Sequence, residues 1–132
     1  MSYLLDVNFL LACAWSAHPA HARANRWLNS VAQFATAPVT QMGFLRVSLS
    51  PGYGASFGDA QTALRALVQL KSHRFVTDSV AADSLPTLAV GKDVTDAHLV
   101  RLAEKHGLKL ATLDAILCGK PWAAGIAENP LF

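Results

Sequence analysis

The alternation of apolar and polar positions divides the chain into short apolar runs separated by longer stretches of helical period. Residues 3–5 read as a short buried strand, and Val7 to Ser16 reads as an apolar helix with Asp6 as its N-cap. His18-Pro19 breaks that helix, and a second one over residues 20–31 carries Trp27, Leu28 and Val31 on its apolar side. Phe34 to Ala37 suits a strand, followed by a helix from Pro38 through Gln41 to about Leu49. Residues 50–58 are rich in Gly and Ser and read as a loop. Asp59 to Lys71 returns to helical spacing through Ala63, Leu64, Leu67, Val68 and Leu70. Arg74 to Thr77 suggests a third strand, and Pro86 limits residues 79–92 to short pieces. Thr95 is the expected N-cap of a helix whose apolar face is Leu99, Val100, Leu102 and Ala103 and whose C′ residue is Gly107. Leu108 to Leu113 then reads as a strand ending in Asp114, before a short helix and an irregular tail. Short apolar strands alternating with helices predict a parallel α/β sandwich.

Composition narrows this picture without naming a partner. The 132 residues fit one domain, 1–132, with no repeat, low-complexity tract or linker inside it. A hydrophobic content of 52% excludes a disordered chain. The net charge of +2 is compatible with nucleic acid and does not require it. Six of the eleven Lys and Arg residues fall between positions 71 and 109, where solvated helix faces account for most of them. Cys13 and Cys118 lie far apart in apolar contexts, without metal or redox spacing, and are expected as reduced core residues. No Lys or Arg precedes Arg23, and Asp6 and Asn8 interrupt the first apolar run, so neither a secretory signal nor a membrane span is expected. A cytoplasmic protein follows as the expectation.

Candidate chemistry rests on three acids. Asp6 and Asp114 each end a predicted strand, and Asp96 lies in the first turn of the helix leading into the second of those strands. If the two strands are neighbours at a switch point of the sheet, all three carboxylates project into one crevice. Like charges so placed raise one another's pKa, and a hard divalent cation with oxygen ligands, Mg²⁺ or Mn²⁺, relieves the conflict. Asn8 would add an amide oxygen or orient Asp6. Taken singly, each acid is explained by helix capping or by the helix dipole. What favours a site is that three of only nine acidic residues occupy such positions with apolar flanks.

The histidines show no zinc spacing, and His98, two residues past Asp96, points to another side of its helix. Gly52-Tyr53-Gly54 with Gly58 has one residue too many for a dinucleotide-binding loop and no preceding strand.

Four segments carry a family resemblance: Leu4-Leu5-Asp6-Val7-Asn8, Thr40-Gln41-Met42-Gly43-Phe44-Leu45-Arg46-Val47, Val94-Thr95-Asp96-Ala97-His98-Leu99, and Leu110-Ala111-Thr112-Leu113-Asp114. In their order and separation the chain resembles PIN-domain ribonucleases, more narrowly the VapC-type toxins of bacterial toxin–antitoxin pairs. The resemblance implies a three-layer α/β/α sandwich with a short central parallel sheet. It also implies a Mg²⁺-dependent endoribonuclease held inactive by an antitoxin, and a homodimer. Asp6, Asp96 and Asp114 match the family's acidic metal site. Gln41 stands where the family usually has Glu, keeping an oxygen and losing a negative charge. Arg46 matches a basic residue common in the family, which would pair with a site carboxylate or contact RNA phosphate, and Lys92 is a second rim cation for RNA. Asp93 is expected at the surface or outside the ligand set. Two other functions remain open at this level: a catalytically weakened module that binds antitoxin or RNA, for which Gln41 speaks, and an aspartyl phosphotransferase built on Asp6-Val7-Asn8, against which Asn8 speaks.

Overall fold

Adjacent residues of the first strand enter different cores: Tyr3 and Leu5 join one apolar cluster and Leu4 the other. That is the period of two of an extended chain covered on both faces. The computed structural model describes residues 1–132. Strands β1 (Ser2–Leu5), β2 (Gln33–Thr36), β3 (His73–Phe75), β4 (Lys109–Ala111) and β5 (Ala127–Glu128) form a single parallel sheet in the order β3-β2-β1-β4-β5. Phe34 and Ala35 on β2, and Leu110 and Ala111 on β4, split between the two clusters in the same way.

One face is covered by α1 (Val7–Ala14), α2 (His21–Ser30), α3 (Pro38–Ser48) and α4 (Phe57–Val68), which supply Phe9, Leu10, Leu28, Phe44 and Leu64 to the first cluster. The other is covered by α5 (Asp93–Lys105), α6 (Ala115–Cys118) and a 3₁₀ turn at Pro121–Ala123, which supply Leu99, Leu102, Leu117 and Ala123. The result is the expected three-layer α/β/α sandwich with a short central sheet. Each fully buried Leu or Phe stabilises it by roughly 1.5–3 kcal/mol. The large aromatics fill this core: Trp27 meets Phe9 edge-on at 4.9 Å, and Trp15 stacks on Phe44 at 6.0 Å. Both cysteines are free thiols, Cys13 buried and Cys118 partly so. No helix is long and apolar enough to cross a membrane.

Several boundaries differ from the sequence expectation. α4 begins at Phe57, two residues early, because the Ser56 hydroxyl accepts the Asp59 N–H at 3.1 Å and caps the helix. Gly58 therefore lies in a helix, not in the loop. α5 begins at Asp93, so Thr95 is inside the helix and not its cap; Lys92, in helical conformation, precedes it without a side-chain cap. The far end of α5 is as expected: Gly107, at φ 69°, donates to Glu104 and the next amide, Leu108, donates to Ala103. β2 runs one residue earlier than expected, β3 one residue earlier and shorter, and β4 stops at Ala111. β5, two residues long, lies in the tail read as irregular, too short to show a period.

Candidate active site at the carboxyl edge of the sheet

After β1 the chain crosses to β2 and then β3 on one side, and returns to β4 on the other. The gap between β1 and β4 is thus the switch point, and their carboxyl ends are level. Leu5 lies opposite Ala111, which puts Asp6 opposite Thr112 one step further on. The Asp6 N–H donates to the Ala111 carbonyl at 2.9 Å and pins this end of the pair.

Beyond that point side chains replace the ladder. Asp6, 7% exposed, caps α1 by accepting the Val7 N–H on Oδ1 at 2.7 Å. Its Oδ2 accepts the Thr112 hydroxyl at 2.8 Å. The Thr112 oxygen in turn accepts the Asp114 N–H at 3.1 Å and the Asn8 Nδ2 at 3.3 Å. Asn8 Oδ1 accepts the Leu113 N–H at 3.1 Å. Asp114 caps α6, its Oδ1 accepting from Ile116 at 2.9 Å and Leu117 at 3.1 Å. Thr112 is the residue that sequence reasoning missed, although it lies two positions before Asp114 in a segment singled out for its acid. A buried hydroxyl beside two acids was the available signal.

Asp96 projects from the first turn of α5 into a crevice of about 310 Å³ that it shares with Lys92, Asp93, Asp114, Ile116, Leu117 and Lys120. Burial first, then the charges of Asp6, Asp114 and Asp93, push its carboxyl up to about 6, with no hydrogen bond or cation to offset them. Burial likewise raises Asp6, opposed by its bonds from Thr112 and Val7 and reinforced by Asp114. The three acids therefore act on one another electrostatically. No three His, Cys, Asp or Glu side chains are gathered tightly enough to hold an ion as they stand. Asp6 and Asp114 each commit one carboxylate oxygen to a helix cap.

Asp93 is not a surface residue. It is 8% exposed and pairs at 3.3 Å with Lys120, just past α6, and α5 starts one turn earlier than its expected cap suggested. Lys92 is exposed on the crevice rim. Gln41 stands in the first turn of α3, where β2 ends at the same edge of the sheet, and its Nε2 donates to the Thr36 hydroxyl at 3.0 Å. Arg46, five residues on, is exposed and forms no ion pair, so it does not neutralise a site carboxylate. Helical geometry sets it about 140° around from Gln41. His98 bonds Asp78 at 2.7 Å, away from the acids. A larger concavity, about 520 Å³, lies between Trp15–Pro19 and the Gly52–Asp59 turn, but it contains one carboxylate and no cluster.

Acids around the switch point of an open parallel sheet, with oxygen donors in negative excess and cations on the rim, suit metal-assisted phosphodiester chemistry. The PIN-domain family model matches residues 3–121. The chain belongs to that family and, within it, to the VapC ribonucleases. It is 43% identical over 119 residues to ribonuclease VapC38 of Mycobacterium tuberculosis, covering 85% of this chain and 84% of that protein. Among solved structures, VapBC2 from Rickettsia felis, bound to a DNA fragment from its promoter, superposes with a TM-score of 0.65 at 18% identity, covering 98% of each chain. A toxin–antitoxin complex from Klebsiella pneumoniae superposes with a TM-score of 0.63 at 19% identity, covering 97% of each.

Proposed function

We propose that residues 1–132 form one PIN domain acting as the toxin of a toxin–antitoxin pair, an endoribonuclease that hydrolyses RNA phosphodiester bonds with a divalent cation. The observation that carries this reading is Asp96: a carboxyl raised to about 6 by burial and by three neighbouring acids is a site short of positive charge. Asp6, Asp96 and Asp114 would hold the ion, Mg²⁺ first and Mn²⁺ as a substitute. When bound, such an ion supplies charge against the phosphate and acidifies water.

The chain's own groups do the rest. Thr112 keeps one oxygen of Asp6 oriented by donating to it, and Asn8 ties the turn carrying Asp114 to the start of α1. The N-termini of α1, α5 and α6 turn their partial positive charge toward the same edge, which favours the ionised acids and an incoming phosphate. Lys92 and Lys120 on the rim offset repulsion between the acids and the RNA backbone, giving salt-sensitive binding. Arg46, exposed and unpaired, is free to meet a phosphate further along the strand. A cognate antitoxin protein silences the site, and a second copy of the chain completes the assembly; both parts of the reading rest on family membership.

A second reading is favoured by one observation, Gln41: a module that binds antitoxin and RNA without cutting. The deciding experiment is cleavage of a mixed cellular RNA pool by the isolated protein with Mg²⁺, Mn²⁺ or EDTA, beside Asp6→Asn. Discrete metal-dependent fragments absent from Asp6→Asn support the nuclease. Intact RNA in every lane, with thermal stabilisation by metal also missing, supports the binding module.

A further inference from the structure

Gln41 does not hang free at the sheet edge. Its Nε2 reaches the hydroxyl of Thr36, the last residue of β2 and fully buried, which also lies 2.7 Å from Nε2 of His73, the first residue of β3. The NH₂ of Gln41 donates to the Thr36 oxygen, so the single Thr36 proton does not point back at Gln41. The other partner of this buried hydroxyl is Nε2 of His73, so Nε2 accepts the Thr36 proton. Burial lowers the His73 pKa and favours the neutral ring. A neutral imidazole has one donor and one acceptor, so its proton lies on Nδ1. The amide orientation of Gln41 therefore fixes the direction of the chain, from Gln41 through Thr36 to His73.

We propose that Thr36 and His73 are positioning residues that present the Gln41 Oε1, not its NH₂, to the acid-lined edge, and that this relay is matched to glutamine in place of glutamate. A carboxylate at position 41 has no proton to give Thr36. With His73 unchanged, one hydroxyl proton would face two acceptors. The network then survives only if His73 carries a proton on Nε2 and donates it to Thr36, freeing the Thr36 proton for the carboxylate. Where the relay bears on catalysis it rests on the ribonuclease reading; its hydrogen-bond polarity does not.

The test is nitrogen NMR of His73 in ¹⁵N-histidine-labelled full-length protein, wild type and Gln41→Glu. Wild type is expected as the neutral Nδ1–H tautomer at neutral pH, and Gln41→Glu as a ring protonated on Nε2 under the same conditions. An Nε2–H tautomer in wild type, or a His73 signal indifferent to Gln41→Glu, overturns the relay. A second arm reads metal-dependent RNA cleavage: Thr36→Val is expected to lose about 10-fold in kcat with KM little changed, and Thr36→Ser to restore it. Full activity in a folded Thr36→Val overturns the positioning role; if that variant does not fold, the NMR arm decides. Wild type that cuts no RNA while His73 responds as stated would sink the ribonuclease reading and leave the relay standing. Cutting with an unresponsive His73 would sink the relay alone.

Discussion

Two buried threonines flank β1 at the same edge of the sheet, Thr36 at the end of β2 and Thr112 just past β4, and they do opposite work. Thr112 gives its proton to the carboxylate of Asp6 and accepts from an amide and a backbone N–H. Thr36 gives its proton to a neutral histidine and accepts from the amide of Gln41. The side chain and its depth are the same; the neighbours set the polarity. On the β4 side the hydroxyl serves a cluster short of positive charge. On the β2 side no charged group takes part in the network, which is how a glutamine comes to suit the position where a glutamate would face Thr36 and His73 with no proton to offer.

The largest expected effect breaks the β4 side at its charge. Asp96→Asn should lower metal-dependent RNA cleavage by at least about 100-fold, measured as single-turnover rate at saturating Mg²⁺. Unchanged cleavage would remove Asp96 from the site. Next comes the hub itself. Thr112→Val removes the donor to Asp6 and the acceptor for Asn8 and Asp114, and should cost about 1–3 kcal/mol in denaturant unfolding. Cleavage should fall with it by about 10–100-fold, and Thr112→Ser should recover both. Equal damage from the Ser variant would show that the methyl, not the hydroxyl, matters.

The two sides are joined at Gly43, where α3, which carries Gln41, approaches α1, which starts at Asp6. A Cβ there would lie 2.6 Å from Cγ2 of Val7, and the rest of that side chain stands behind it. Gly43→Ala should therefore destabilise the fold by about 1–3 kcal/mol through overpacking, read as a lower denaturant midpoint. A neutral substitution would mean that the helices part without cost.

The smallest effect is in pH. Folded Asp96 keeps its proton up to about 6, against 3.8 for an ordinary aspartate, and burial raises Asp6 in the same direction. Between those values the folded chain binds more protons than the unfolded one, so stability of the metal-free protein should fall as pH rises through that window. Adding Mg²⁺ or Mn²⁺ above it should restore thermal stability, and Asp96→Asn should flatten both responses. A metal-free melting temperature that rises steadily across the window would contradict the cluster's electrostatics.

The strands, the helices and their alternation were legible because burial on both faces leaves near-continuous apolar runs at β1 and β4, while helices such as α5 keep their period. The acids at strand ends were legible for the same reason, since Asp6 and Asp114 each interrupt an apolar run. Caps were read less well. Thr95 looked like the start of α5, but a helix start is decided by the backbone path, here through turns at Val90 and Gly91 whose carbonyls accept from Asp93 and Val94. Asp93 was expected at the surface or outside the ligand set, and its burial was not legible because its partner, Lys120, is far along the chain and arrives only after α6. β5 was invisible because a two-residue strand is defined by its neighbour.

By itself, then, the sequence determined which residues are apolar enough to be covered on both sides, and hence a parallel sheet between helical layers with acids at its carboxyl ends. Short-range chemistry suffices for that, because period and capping act within a few residues. Tertiary structure alone decided that Thr112 and Thr36 stand on either side of Asp6. It also decided that Asp96 feels three other acids, and that His73, 32 residues past Gln41, controls which way its amide faces. Hydrogen-bond polarity and charge repulsion depend on distance in space, and only the strand order β3-β2-β1-β4-β5 brings those residues together.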